Sequence, residues 1–367
     1  MTEWKTVKLG DICNISTGKR PLHKETHISQ ECPIPVYGGN GISWFTKETL
    51  LDKPIILTGR VGTIGTLYRV KSPCWVSDNA LIISPKRTDF DFVFYILKLS
   101  NFTALNRGST QPLITQTDVK NLEIPLPPLD VQKRIAGILG ALDDRIDVLR
   151  RENVVLEQMA QAVFQSWFVD FDIVRAKADG LSASEVCGKY RITPELYALF
   201  PSALTPDGIP QGWEKKKLGE LVQNVKKSVK PSVETEQKPY VPIDCIATKS
   251  LTLYDFKEGK EAQSSLISFE PHDILFGAMR AYFHKVCIAP FAGTTRSTVF
   301  CLRPKKLKDF SFALLSVFQN RCIAYASQNS KGTTMPYAVW DNNLSEYQTE
   351  ASAEDVRTAF NEYLENS

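Results

Sequence analysis

Apolar and small residues recur at Ile135, Leu139, Leu142, Ile146, Leu149, Leu156, Ala160, Val163 and Trp167. With Asn153 in the single polar slot, the steps between them alternate strictly between four and three. That spacing puts every one of these side chains on one stripe of an α-helix and marks a coiled-coil seam. The pattern predicts a helix from a cap at Asp130 to about Phe171. A helix of about 40 residues extends about 60 Å. An ordinary amphipathic core helix is the alternative reading; the strict alternation and the length favour the seam. Asn153 has the role of a lone polar residue that fixes register. Gly137 and Gly140 each cost about 1 kcal/mol against alanine and suggest close packing on the preceding domain. Upstream, Ile124-Pro125-Leu126-Pro127-Pro128 is rigid and cannot be helical throughout. Downstream, a polar stretch with Pro194, Pro201, Pro206, Gly208 and Pro210 reads as a linker carrying one short helix around Glu195–Phe200.

The segments flanking this helix are one unit written twice. Trp4-Lys5-Thr6-Val7-Lys8-Leu9-Gly10-Asp11 returns as Trp213-Glu214-Lys215-Lys216-Lys217-Leu218-Gly219-Glu220. The stretch Asp52 to Arg60 parallels Pro271 to Arg280, and Ile82-Ile83-Ser84-Pro85-Lys86-Arg87 parallels Phe300 to Lys306. Helices open at Asp91-Phe92 and Asp309-Phe310. Small-residue loops follow at Gly108-Ser109-Thr110-Gln111-Pro112 and Gly332-Thr333-Thr334-Met335-Pro336, and Asp130-Val131 matches Asp355-Val356. So long a period means a duplicated domain rather than a solenoid. Each copy runs through short strands and glycine turns, then a helix, then a loop, which is an α+β pattern. The predicted boundaries are a first domain at 1–130, the long helix at 131–180, a linker at 181–211, a second domain at 212–350 and a short C-terminal helix at 351–367. Trp4 and Trp213, at matched positions, are expected core anchors.

Composition narrows the chemistry. The chain has 367 residues, 43% hydrophobic and 23% charged, which suits a globular protein of two or three domains. No apolar run approaches the roughly 20 residues of a membrane span, and the N-terminus has no signal core. The expected location is cytoplasmic. The eight cysteines form no Cys-x-x-Cys pair and read as reduced thiols in cores. A net charge of +3 does not by itself announce nucleic-acid binding. P-loop, dinucleotide-binding, zinc-protease and nucleophile-elbow motifs are absent, as is the Asn/Asp-Pro-Pro-Tyr/Phe tetrapeptide of amino-methyltransferases. His23 and His27 with Cys32 are a weak metal candidate. Asp244, Glu258 and Lys260 give a loose nuclease-like spacing that reads more simply as a charged turn closed by Gly259.

Some motifs gain force from their order. They are the Trp…Leu-Gly-Asp/Glu start of both copies, Tyr37-Gly38-Gly39-Asn40-Gly41-Ile42, Leu57 to Gly65, Gly108 to Pro112, Ile124 to Pro128 and Trp167-Phe168-Val169-Asp170-Phe171. Together they resemble the specificity subunit of type I restriction-modification systems, over nearly the whole chain. The resemblance implies two target-recognition domains, each reading one half of a split DNA sequence, with the helix setting the distance between halves. It implies a non-catalytic subunit that binds double-stranded DNA with modification and restriction subunits. Those partners hold S-adenosylmethionine, ATP and magnesium, so this chain carries no cofactor. A magnesium-dependent nuclease or a coiled-coil scaffold are the rival readings. The family pattern also implies a second long helix pairing antiparallel with the first. Here about 16 residues from Ser352 are available, enough to cover Trp167, Val163, Ala160 and Leu156 but not Leu149, Ile146, Leu142, Leu139 or Ile135. Self-association, a partner subunit or a separately encoded C-terminal piece is expected to cover the rest.

Phosphate contacts supply affinity and base edges supply specificity. The candidates in the first domain are Lys19, Arg20, Arg60, Arg69, Lys86, Arg87, Arg107 and Gln111. In the second they are Lys226, Lys227, Lys230, Arg280, Lys285, Arg296, Arg303, Lys305, Lys306 and Lys331. Arginine pairs bidentately with guanine and glutamine with adenine, so Arg60, Gln111 and Arg280 lead. Any one lysine can equally be solvated surface.

Overall fold

The structure, a computed structural model, describes residues 4–62, 64–107, 112–262 and 265–365. The chain divides into two compact units, residues 1–149 and 150–367.

The first unit is built on a four-stranded antiparallel sheet in the order Cys13–Thr17, Ala80–Pro85, Ile55–Gly59, Leu67–Val70. Its central strands are apolar at consecutive positions because both faces are covered, and side chains alternate between the faces. Ile56, Leu81 and Ile83 meet the helix Phe90–Lys98 through Phe92, Val93 and Leu97. Ile55, Leu57, Ala80 and Ile82 enter a second cluster with Val76 and Tyr37, on the side of a small sheet of Gly41–Thr46, Ile34–Gly38 and Trp75–Val76. A two-stranded ladder, Lys5–Lys8 against Glu123–Leu126, joins the start of the unit to its end.

The second unit repeats this plan. Its sheet runs Val222–Asn224, Val299–Pro304, Ile274–Gly277, Val286–Ile288, again antiparallel. Ile274, Phe276 and Leu302 face the helical side, while Leu275, Cys301 and Val299 face the other. The repetition extends to single hydrogen bonds. Leu9 N–H donates to Leu122 O at 2.8 Å and Leu218 N–H to Tyr347 O at 2.8 Å; Lys86 N–H donates to Ile12 O at 2.7 Å and Lys305 N–H to Leu221 O at 2.8 Å. One pairing shifts by two residues from the sequence expectation. The paired helices are Phe90–Lys98 and Phe310–Phe318, so Asp309 matches Asp89 rather than Asp91.

Both units carry a buried polar tie between that helix cap and a later helix. In the first, Gln132 accepts from Asp89 N–H at 3.0 Å and donates to Pro127 O at 2.8 Å, while the Asp89 carboxylate caps the helix at Phe92 N–H. In the second, Arg357 Nε donates to Asp309 Oδ1 at 2.9 Å and Nη1 to Ser352 Oγ at 3.2 Å. Asn361 adds hydrogen bonds from Ser311 N–H and Oγ at 3.1 and 2.8 Å. The final helix, Glu354–Glu365, is therefore the counterpart of the first turns of the long helix, Leu129–Phe164.

The long helix shows how its seam is used. Ile135 and Leu139 pack on the first unit's core beside the buried Ala136, and Ala160 and Val163 pack on that of the second. Between them Leu142, Ile146, Leu149 and Leu156 are 56, 46, 42 and 54% exposed, and Asn153 is half-buried. Within the second unit, Glu157 fixes the helix by accepting from Ser250 Oγ, Thr252 N–H and Thr252 Oγ1 at 3.2, 2.9 and 2.7 Å. After Phe164 the backbone widens into a π-type turn at Gln165–Val169. There Trp167 and Phe168 enter the core against Phe360, with ring centroids 5.4 and 5.1 Å away.

Several expectations are revised. Leu156, expected beneath the final helix, is exposed, while Ile135 and Leu139, expected to lack cover, pack on the first unit's core. Within the segment 181–211, helices Ala183–Tyr190 and Pro194–Leu199 pack onto the core through Val186, Ile192 and Phe200. Trp4 is 43% exposed beside an edge ladder, whereas Trp213 is 7% exposed among Phe168, Phe171 and Phe200. Gly137 faces open space, so close packing does not explain it, and Gly140 only approaches the Tyr95 hydroxyl. The eight cysteines are free thiols, six of them buried. Burial pushes Cys13, Cys287 and Cys301 up to about 12 and Cys74 to about 11.

Arg357→Met leaves the Asp309 carboxylate buried without its partner. The second unit should lose about 3–5 kcal/mol in urea unfolding of the full chain, and adding Asp309→Asn should recover part of that loss.

Candidate nucleic-acid interface

The proposed DNA contacts separate into side chains engaged by the fold and side chains presented to solvent. Arg69 is engaged: its guanidinium donates to Asp91 Oδ1 at 3.0 Å and Tyr95 OH at 3.2 Å and lies 3.5 Å from Asp143. It thus ties the sheet to the helix Phe90–Lys98 and to the long helix. Arg303 forms a two-pronged pair with Asp273, Nε and Nη2 at 2.7 and 2.8 Å, and the Asp273 side chain is 1% exposed. Lys285 donates to Ile243 O at 2.9 Å, and Lys305 to Gly219 O at 2.5 Å. Lys306 and Lys308 both hold Glu354 at the start of the final helix, at 3.0 and 2.6 Å. Hydrogen bonds from Lys308 first, and then from Lys306, hold the Glu354 carboxyl down at about 2. Arg107 pairs with Asp118, which also closes a capping box with Thr115. Lys226 pairs with Asp341 at 2.5 Å, and Arg20 lies 3.6 Å from Asp78.

Arg20, Arg107, Lys226, Lys305 and Lys306 are exposed despite these partners, and also presented to solvent are Lys19, Lys86 and Arg87 in the first unit and Lys227, Lys230, Arg280, Arg296 and Lys331 in the second. Lys19 sits on a pinned loop: its N–H donates to Val76 O at 2.8 Å and Trp75 Nε1 donates to its carbonyl at 2.6 Å. The loop comes so close that a Cβ on Gly18 would lie 2.2 Å from Val76 O, so only glycine fits. Arg60 is half-buried, and its Nε is shielded without a partner among the described residues. Gln111 lies outside the described residues.

Each unit also builds one turn in the same way. In the first, Arg60 N–H donates to Asn79 O, Ile114 N–H to Arg60 O, and Gly62 N–H to Pro112 O, each at 2.9 Å. In the second, Ala278 N–H donates to Thr298 O and Ala338 N–H to Ala278 O, both at 2.8 Å, and Arg280 N–H to Pro336 O at 2.7 Å. Bridges Val61↔Leu113 and Met279↔Tyr337 complete the match. The structural partner of Arg60 is therefore Ala278, and that of Arg280 is Gly62. Both turn residues are left-handed, φ 78° at Gly62 and 51° at Arg280. That backbone suits glycine, and costs a residue with a side chain roughly 1–2 kcal/mol.

A cleft flanks the turn in each unit. The first, about 260 Å³, is lined by Gly38, Asn40, Trp44, Val61, Ser77 and Asn79, and the second, about 410 Å³, by Lys226, Met279, Ser297, Thr298, Tyr337 and Trp340. Exposed Tyr282, Phe283, Met335 and Tyr337 accompany Arg280. A charge-based reading of the sequence passes over these apolar residues; Met335 and Tyr337 are signalled by their place in and beside the glycine-rich loop, and Tyr282 and Phe283 by following Arg280.

The nuclease reading is not supported. Asp244 pairs with Lys257 at 2.9 Å and Glu258 with Lys260, so each carboxylate is taken by its own lysine. Among the described residues no group of three or more His, Cys, Asp or Glu is placed to hold a metal ion, and no helix is long and apolar enough to cross a membrane.

The family model for the type I restriction modification DNA specificity domain matches residues 1–158 and 210–347. The chain belongs to that family. A specificity subunit of this kind is the non-catalytic, sequence-reading component of its system. Among curated relatives, the type I restriction enzyme MjaIX specificity subunit of Methanocaldococcus jannaschii is 25% identical, over 91% of this chain and 80% of the relative. The HindI specificity subunit of Haemophilus influenzae is 35% identical over 61% of each chain. The crystal structure of the type I S subunit from M. genitalium shares the fold, with a TM-score of 0.53 at 16% identity, covering 99% of this chain and 89% of that one.

The side chains engaged by the fold should act on stability and not on sequence reading. Arg69→Met and Arg303→Met should each lower the melting temperature of the chain. The DNA motif methylated by the assembled complex, read by modified-base sequencing, should stay the same.

Proposed function

We propose that this chain is the DNA sequence-specificity subunit of a type I restriction-modification complex, in which each unit reads one half of a bipartite target. The observation that carries this reading is the turn built twice, hydrogen bond for hydrogen bond, beside a cleft in each unit. Duplicated recognition surfaces suit a target in two parts, as dimeric repressors suit two half-sites. Solvent-presented lysines and arginines supply phosphate contacts in both units. The long helix sets the spacing between half-sites and docks the modification subunits. Those subunits bind S-adenosylmethionine, the restriction subunits bind ATP, and magnesium serves the partners' chemistry. The complex works in the cytoplasm.

The exposed middle of the seam supports the docking role. Leu142, Ile146, Leu149 and Leu156 lie in one stripe that neither unit's core covers. Burying such side chains contributes about 1.5–3 kcal/mol each, enough to hold a partner helix. In the isolated chain the same stripe drives self-association. A scaffold protein without DNA contact is the rival reading, and salt-dependent DNA binding by the complex excludes it.

Two measurements test this. Exchanging residues 1–149 for the same unit of a relative should change one half of the methylated motif and leave the other. The cut belongs after 149 rather than at 130, because the tie to Gln132 and the packing of Ile135 and Leu139 are part of the first unit. A change in both halves would refute independent reading. Leu142→Glu with Ile146→Glu should make the isolated chain monodisperse in light scattering and abolish its capture of the modification subunit, with little change in melting temperature. Self-association and capture that persist would place the docking surface elsewhere.

A further inference from the structure

We propose that Arg280 is the residue with which the second unit reads a guanine in its half of the target; this rests on the DNA-reading function just given. The first unit fills the equivalent position with Gly62, whose N–H donates to Pro112 O as the Arg280 N–H donates to Pro336 O. Arg280 adopts φ 51° and ψ 59° there, a conformation that glycine takes freely and arginine does not. Its side chain is exposed, and among the described residues no acceptor engages its guanidinium. An arginine kept at a glycine position, with no such acceptor, has its use outside the chain. Residues held in such backbone regions concentrate at binding sites.

The setting favours a base edge over a phosphate. A phosphate contact needs only positive charge on a flexible stem, which Lys227, Lys230 and Lys331 already provide. Base reading needs a fixed platform, and the turn is fixed on every side. Phe283 N–H donates to Arg280 O and His284 N–H to Ala281 O, both at 2.9 Å, and Lys249 N–H to His284 O at 2.8 Å. Beneath it, the buried His284 ring packs on Phe318 with centroids 4.5 Å apart. Around Arg280 stand the exposed Tyr282, Phe283, Met335 and Tyr337, and the carboxylate that lines the adjoining cleft, Asp341, is paired with Lys226. Once DNA covers it, such a rim shields a guanidinium fork from water and offers apolar contact to neighbouring bases; the fork matches guanine O6 and N7 in the major groove.

The test uses the complex assembled with its modification subunit and maps adenine methylation by modified-base sequencing. Arg280→Gly gives the turn its favoured residue, so the melting temperature should hold or rise. Methylation should lose about 10–100-fold of its preference at one guanine of the second half-site, with every other position unchanged. Arg280→Lys keeps the charge but not the fork, and should relax the same position. An unchanged motif in both variants would overturn the proposal while leaving bipartite reading intact. A uniform loss across all sites that Arg280→Lys restores would make Arg280 a phosphate contact and also overturn it. A wild-type complex that methylates no bipartite motif would instead refute the parent reading.

Discussion

Each unit depends on one buried polar tie between the cap of its packed helix and the start of the helix that leaves the sheet. Asp89 with Gln132 makes a neutral version and Asp309 with Arg357 an ionic one. Both are inside, where an unmatched polar group costs more than its bond contributes. That asymmetry makes the tie a constraint: moving the leaving helix away from the cap strands a shielded donor or acceptor. The sheet's two apolar faces supply most of the cohesion but are tolerant of small shifts. The tie is not, and in the second unit it holds the aromatic cluster of Phe164, Trp167, Phe168 and Phe360 in register.

Much of this is legible in the amino-acid sequence. The four-three seam announces the long helix because coiled-coil spacing leaves a periodic trace. The repeat announces two like domains because the ladder and turn motifs survive in both copies. The mismatches have physical causes. Arg60 and Arg280 look equivalent when the two copies are written one above the other, but the hydrogen bonds of the turn give Arg280 the position that Gly62 holds in its own unit. The segment 181–211 looks like a linker because its prolines and polar residues conceal the buried Val186, Ile192 and Phe200. Trp4 and Trp213 occupy matched positions, and only the second has aromatic neighbours brought there by the end of the long helix.

Charge is the least informative signal at the level of residues. Of the basic side chains expected to contact DNA, Arg69, Arg303, Lys305 and Lys306 are bound by the chain's own acceptors, and the acidic residues nearly equal the basic ones in number. A nearly balanced chain uses many cations for its own cohesion.

The buried thiols carry a consequence of their own. A thiol reacts as the thiolate, and burial keeps Cys13 and Cys74 in the first unit, and Cys287 and Cys301 in the second, far from that form. They are silent while their sheet is closed and become ordinary nucleophiles when it opens. Because the two pairs lie in different units, the order in which they accept an alkylating reagent records which half of the molecule loosens first, without any label being added to it.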